Sequence, residues 1–251
     1  MNELIENVSN VAIAKATMLK KSLLRYFILS FMAGMFVGLG ILLIMTIGGL
    51  LTGSPATKIV MGLSFGIALS LVIMAGSELF TGNNFVMTVG ALDKKVSWMD
   101  TINIWMVSYI GNLVGSIFTA WLFVSTGLVK GDLAAFILKL TDSKMNGSFA
   151  ELFFKGILCN ILVCLAVLCA IKMKEETAKL IMIFWCLFAF ITAGFEHSIA
   201  NMTLLTIGLL IPHSETITLV GYFNNLLPVT LGNMVGGCLV VGLGYWLVGR
   251  K

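Results

Sequence analysis

The chain has 251 residues, of which 59% are hydrophobic and 11% charged, with a formal net charge of +4. A soluble domain carries about 25% charged residues, so a water-soluble globular fold is excluded. Apolar runs longer than about 18 residues recur along the sequence, each long enough to cross a bilayer, and the chain reads as a polytopic membrane protein folded as one bundle in a lipid bilayer.

Residues 1–25 read as an amphipathic interfacial helix. Leu4, Val8, Val11 and Ala12 share one face, and Lys15, Lys20, Lys21 and Arg25 cluster toward its end. Such a segment lies in the interface plane with its cations at the headgroups. Glu3 and Glu6 precede any apolar core, so no cleavable signal peptide is expected and the chain inserts through its first membrane helix.

Six apolar segments then form a transmembrane domain over residues 26–251: 26–52, 59–92, 101–128, 149–171, 180–211 and 220–248. The second and fifth are too long for one span and carry polar residues at their centres. Each is expected to be two half-helices joined by irregular chain, which membrane depth allows only where it is buried in protein or lines a cavity. With the N-terminus inside, the inner regions hold Lys15, Lys20, Lys21, Arg25, Lys94, Lys95, Lys172, Lys174, Lys179, Arg250 and Lys251, whereas the outer loops hold Lys58, Lys130, Lys139 and Lys144. That bias places both termini in the cytoplasm.

The two interrupted segments match each other. Both Gly76–Asn83 and Gly194–Asn201 read G-x-E-x-x-x-x-N, at an offset of 118 residues. Downstream, Gly111-Asn112-Leu113-Val114-Gly115 pairs with Gly232-Asn233-Met234-Val235-Gly236 at an offset of 121. The halves, 26–128 and 149–248, hold three spans each. An odd number makes the second half enter from the opposite face, the inverted-repeat pattern whose sites lie near the midplane on broken helices. The second half-helices begin near the centre, after Thr81 and Ser198, and a helix N-terminus offers free N–H groups and partial positive charge. Two such ends meeting from opposite sides suit a small anion.

Glu78 and Glu196 occupy equivalent places in the repeat, as do Asn83 and Asn201. Each glutamate is read either as part of a proton relay or, preferentially, as an acceptor for backbone N–H groups freed by the break. His197 has no repeat mate, its counterpart being Leu79, so a symmetric structural role does not account for it. Thr81 is its natural partner across the pseudo-axis, with Asn112 and Asn233 placed to support the loops. Lys144 and Lys155 either raise the local anion concentration or anchor the chain at the interface. Phe65, Phe80 and Phe190 flank the polar centre, where apolar rings form constrictions against hydrated ions. The five cysteines all sit in apolar runs without a metal-binding spacing, no nucleotide-binding glycine loop is present, and no metal, cofactor or nucleic-acid partner is expected.

The stretches Glu78–Asn83, Lys155–Asn160, Phe195–Met202 and Asn225–Asn233 resemble those of the formate/nitrite transporter family, and the resemblance runs in order over nearly the whole chain. It implies an all-α membrane protein with an aquaporin-like six-helix protomer, assembled as a homopentamer with one pore in each protomer. The implied cargo is a small monovalent anion of a weak acid: formate, nitrite or hydrosulfide, and acetate or lactate in some members. The family's central histidine and loop threonine fall on His197 and Thr81, and its histidine-supporting asparagine on Asn233. Its slit residues fall on Phe65, Phe80 and Val163 at one end and on Leu69, Leu79 and Phe190 at the other. Its outer lysine and fourth-helix asparagine fall on Lys144 and Asn160. Gly82-Asn83 after the threonine departs from some members.

The expected function is a plasma-membrane channel or transporter for such anions, with His197 offering a hydrogen bond or a proton. An aquaporin-like pore for small neutral solutes is the alternative, disfavoured by the missing paired Asn-Pro-Ala breaks and by the Glu196-His197 pair. A membrane enzyme using these two residues as acid and base lacks a nucleophile or metal cluster.

Overall fold

The fold is described from a computed structural model over residues 1–249. Helix α1 (Asn2–Lys21) precedes α2 (Leu23–Leu50), α3 (Thr57–Ser64), α4 (Gly66–Met74), α5 (Phe80–Leu92) and α6 (Trp98–Ser125). The second half holds α7 (Gly131–Met145), α8 (Phe149–Lys172), α9 (Glu176–Ala193), α10 (Ser198–Leu210), α11 (Leu219–Met234), a π-helical segment (Val235–Leu243) and α12 (Gly244–Gly249). No strand occurs among the described residues. Six helical stretches there are long and apolar enough to span a membrane: Leu23–Leu50, Thr57–Met74, Trp98–Ser125, Phe149–Lys172, Glu176–Ala193 and Leu219–Gly249.

The two long apolar segments are broken at the motif glycines. Gly76 has φ +71° and Gly194 φ +79°, the left-handed conformation that ends a helix and that only glycine adopts without strain. Four residues beyond each glycine a second half-helix begins, α5 at Phe80 and α10 at Ser198. Both half-helices are buried almost throughout, which is why polar backbone ends are tolerated at this depth.

Close backbone contact between helices fixes the frame. Helix α2 packs on α6, and α8 on α11, the same pairing in each half. A Cβ at Gly115 would stand 2.0 Å from the Phe31 carbonyl oxygen, and one at Gly232 would stand 2.2 Å from that of Phe153. Small residues permit this approach where lipid gives no hydrophobic drive to associate. The halves interlock through their half-helices: α10 packs against α6, and α5 against the π-helical segment.

Two elements differ from the sequence reading. Residues 129–148 read as an outer loop, yet most of them form α7, which buries Ile137, Thr141 and Met145. Charged residues interrupt α7 too often for an apolar run, so its amphipathic packing face is hidden from a hydropathy reading. The sixth segment is not uniformly α-helical but widens into a π-helix over Val235–Leu243. At the other end of the chain, α1 presses Val8 and Ala12, both fully buried, against the bundle.

Candidate functional site

Asparagine side chains hold the starts of both half-helices. Asn112 Oδ1 accepts the Phe80 N–H (2.9 Å), while its Nδ2 donates to the carbonyls of Ser30 (2.7 Å) and Glu78 (2.9 Å). Asn233 repeats this: Oδ1 accepts the Ser198 N–H (2.9 Å), and Nδ2 donates to Gly156 (2.8 Å) and Glu196 (3.0 Å). An amide suits the task because one group supplies an acceptor and two donors. The breaks also dock on neighbouring main chain, the Glu78 N–H on the Leu29 carbonyl and the Glu196 N–H on that of Lys155.

The glutamates therefore do not receive the freed backbone N–H groups, as the sequence reading preferred. Each meets a lysine and an asparagine. Glu78 Oε2 accepts from Lys15 Nζ (2.6 Å), Tyr26 Oη (2.6 Å) and Asn83 Nδ2 (3.3 Å). Both Glu196 oxygens accept from Lys144 Nζ (2.7 and 2.6 Å), and Oε2 also from Asn201 Nδ2 (2.6 Å), which is shared by Asn225 Oδ1 at 2.8 Å. A carboxylate almost removed from water needs a counter-charge, and a neutral N–H does not supply one. The Lys-Glu-Asn arrangement is repeated across the pseudo-axis although its two lysines come from α1 and α7, outside the matched motifs.

The asymmetric element lies between these clusters. His197 Nε2 is 3.0 Å from Thr81 Oγ1, both fully or almost fully buried. His197 is also the N-cap of α10, its Nδ1 accepting the Ala200 N–H at 3.1 Å. A nitrogen that accepts carries no proton, so the neutral ring holds its proton on Nε2 and donates it to Thr81 Oγ1. The threonine hydroxyl keeps its own proton free for another acceptor. Asn233 reaches the main chain on both sides of His197 without a hydrogen bond to the ring. Asn160 Nδ2 donates to the carbonyls of Asn233 (2.6 Å) and Thr81 (3.3 Å), joining the two breaks.

Two vestibules approach this centre. One, of about 370 Å³, is bordered by Lys15, Glu78, Leu69 and Leu79. The other, of about 480 Å³, is bordered by Lys144, Glu196, Phe190 and His197. Between them lies a space of about 10 Å³ among Phe65, Leu69, Leu79, Val163, Phe190 and His197, at the lower limit for one water molecule. Phe65 and Phe190 close it edge to face with centroids 5.6 Å apart. The grouping differs from the one implied by resemblance. Phe190 belongs with the Lys144-side vestibule and contacts Phe65, while Leu69 and Leu79 border the Lys15 side. Phe80 is absent from this space, and its ring lies edge-on to Tyr109 at 4.9 Å. Lys155 borders neither vestibule: its side chain is exposed, and it meets the break through its main-chain carbonyl, which accepts the Glu196 N–H.

Sequence reasoning missed the partners of the glutamates. Lys15 had a visible signal, since it follows Val8 and Ala12 at helical spacing on the face that becomes buried, where a cation needs an anion. Tyr26 and Asn225 had none, because a single tyrosine or asparagine in an apolar run points to no particular partner.

A transport site of this architecture has known relatives. The formate/nitrite transporter family model matches residues 2–247. The chain belongs to the formate/nitrite transporter family. It is 47% identical over 230 residues to a nitrite transporter, NirC, of Salmonella typhimurium, covering 91% of this chain and 84% of that one. Among solved structures, an FNT family ion channel superposes with a TM-score of 0.95 at 43% identity, covering 99% of both chains. A pentameric formate channel with formate bound gives 0.82 at 32% identity, covering 92% of this chain and 99% of that one. As a member of the formate/nitrite transporter family the chain is a multi-pass membrane transport protein rather than an enzyme, and a neutral-solute pore is not favoured.

Proposed function

We propose that the protein carries small monovalent anions of weak acids, with nitrite and formate as the first cargo to assay, across the plasma membrane as a homopentamer with one pore in each protomer. The nitrite relative is the more similar of the two named for a cargo, which puts nitrite first. In this reading residues 1–25 cap the inner end as an interfacial helix and residues 26–251 form the channel domain, in repeat halves 26–128 and 149–248. Both termini face the cytoplasm, supported by the lysine and arginine bias. The Lys144 side is then the outer face.

The observation that carries the proposal is the Thr81–His197 contact between two half-helix starts, sealed by apolar side chains. An anion entering from Lys144 or Lys15 passes the rings of Phe65 and Phe190 or the side chains of Leu69, Leu79 and Val163. It is received by the Thr81 hydroxyl, which the His197 Nε2–H polarises. Asn160, Asn233 and the Glu78–Asn83 and Glu196–Asn201 pairs hold the breaks rigid. Because Nδ1 is occupied by the Ala200 N–H, His197 acts as a fixed neutral donor; a second ring proton would cost the α10 cap. A proton that crosses with the anion then comes from water in the vestibules.

Liposome flux of nitrite, formate and hydrosulfide from pH 5 to 8, with proton movement recorded alongside, tests this. His197→Asn keeps a capping side chain and removes the Nε2 donor. A lower rate with an unchanged pH profile is expected. A pH inflection present in the wild type and lost in the variant would assign His197 as the proton source instead.

A further inference from the structure

The walls of the two vestibules do not carry the same charge. On the Lys15 side the charged residues are Lys15 and Glu78, and they pair at 2.6 Å. On the other side Lys144 and Glu196 pair in the same way, but a third charged residue, Lys58, also lines the cavity. Counting the walls alone, one vestibule sums to zero and the other to +1.

Lys58 lies in the first turn of α3 and is exposed. Its ammonium reaches across the break: a Cβ built on Gly194 would be 3.9 Å from Nζ. This places the cation over the irregular stretch that leads to Glu196 and His197. No ion pair or side-chain hydrogen bond to Lys58 is found among the described residues. The lysines that the pseudo-symmetry repeats, Lys15 and Lys144, have their charge cancelled by a carboxylate within hydrogen-bond reach. Lys58 has no counterpart in the wall of the Lys15-side vestibule and keeps its charge for whatever enters.

We infer that Lys58 is an anion-holding residue of the Lys144-side vestibule, which makes that mouth the higher-affinity entrance to the pore. The inference rests on the anion reading above. A cleft with one sign of charge and low-dielectric walls concentrates the opposite ion. A passive pore conducts equally both ways at low concentration without a voltage, so the asymmetry shows in the half-saturating concentrations of the two faces. One charge acting through a largely aqueous cleft changes local anion concentration roughly two- to fivefold, less at high salt.

The test is uptake of labelled formate and of nitrite into right-side-out and inside-out membrane vesicles, clamped at zero voltage, at low and high ionic strength. For Lys58→Gln the half-saturating concentration at the Lys58 face should rise two- to fivefold at low salt, with the opposite face unchanged. Lys58→Arg should retain the wild-type value, and high salt should shrink the wild-type advantage. An unchanged Lys58→Gln, an equal change at both faces, or an arginine variant that behaves like glutamine would overturn the inference while leaving the anion reading standing. Absence of either anion's flux in the wild type would overturn that reading and the inference together.

Discussion

His197 Nε2 and Thr81 Oγ1 meet at 3.0 Å across 116 positions of sequence, each at the start of a half-helix from a different repeat. The pair is where the inverted repeat stops being symmetric, since Leu79 stands where the first half would need a histidine. Removing it should separate transport from folding. His197→Ala loses both the donor and the cap, so its stability should fall by about 1 kcal/mol. His197→Asn should stay near wild type in thermal unfolding, because asparagine caps well. Flux should drop roughly two- to tenfold in both, the value of the neutral hydrogen bond that polarises Thr81. A stable His197→Asn with wild-type flux would remove the histidine from transport.

Asn112 and Asn233 make three equivalent hydrogen bonds each, and that equivalence has a consequence for stability. Replacing either by alanine leaves the half-helix N–H and the carbonyl of the break, at Glu78 or Glu196, buried without partners, at about 1–3 kcal/mol for each group, while the mid-helix Ser30 and Gly156 carbonyls keep their helical bonds. Thermal unfolding in detergent should show Asn112→Ala and Asn233→Ala destabilised to a similar extent, by about 2 kcal/mol or more. Aspartate should not rescue either position, because it restores the acceptor but neither donor. A mild effect at one site and a severe one at the other would show that the two breaks are not held alike.

The lysine–glutamate pairs predict a non-additive pattern. Lys144→Met strands a buried carboxylate, a loss of about 3–5 kcal/mol for a broken buried pair. Adding Glu196→Gln removes the stranded charge and keeps an acceptor for Asn201, so the double variant should recover much of the loss. Lys15→Met with Glu78→Gln should behave the same way, with Tyr26 and Asn83 still bound to the amide oxygen. Thermal unfolding of the single and double variants gives the coupling directly, and purely additive losses would mean that the pairs contribute no mutual stabilisation.

Much of this frame is legible in sequence, for stated physical reasons. Gly76 and Gly194 mark the breaks because an apolar run too long for one span has to stop somewhere, and glycine is the residue that stops a helix in the left-handed conformation. The Gly111/Gly115 and Gly232/Gly236 pairs mark helix contacts because small side chains let backbones touch. His197 stands out by lacking a mate. Less legible is anything that depends on which face an element turns inward. Lys155 lies in the same apolar run as Asn160, and only the helix phase shows that one points out and the other in. The lysine partners of Glu78 and Glu196 are hidden because Lys15 and Lys144 belong to elements with no repeat signature. Ring orientation is hidden in the same way: Phe190 lines the narrow space against Phe65, while the Phe80 ring lies edge-on to Tyr109.

Glycine positions offer the last test, since the same substitution should act in opposite directions. At Gly232 an added Cβ meets the Phe153 carbonyl oxygen at 2.2 Å, and at Gly115 the Phe31 carbonyl oxygen at 2.0 Å. Both obstacles are backbone of a facing helix, which cannot rotate away as a side chain does. Gly232→Ala and Gly115→Ala must therefore push α8 from α11, or α2 from α6, and with them the asparagine clamps at Asn233 and Asn112. Losses of about 1–3 kcal/mol are expected, as for overpacking in other cores, with reduced anion flux in whatever protein folds. At Gly244 nothing lies within 4 Å of the added Cβ, and alanine is favoured over glycine in a helix by up to about 1 kcal/mol. Gly244→Ala should leave flux unchanged and hold or raise the unfolding temperature. If all three alanine variants were equally tolerated, the close helix approach would not be what holds the two halves of the pore in register.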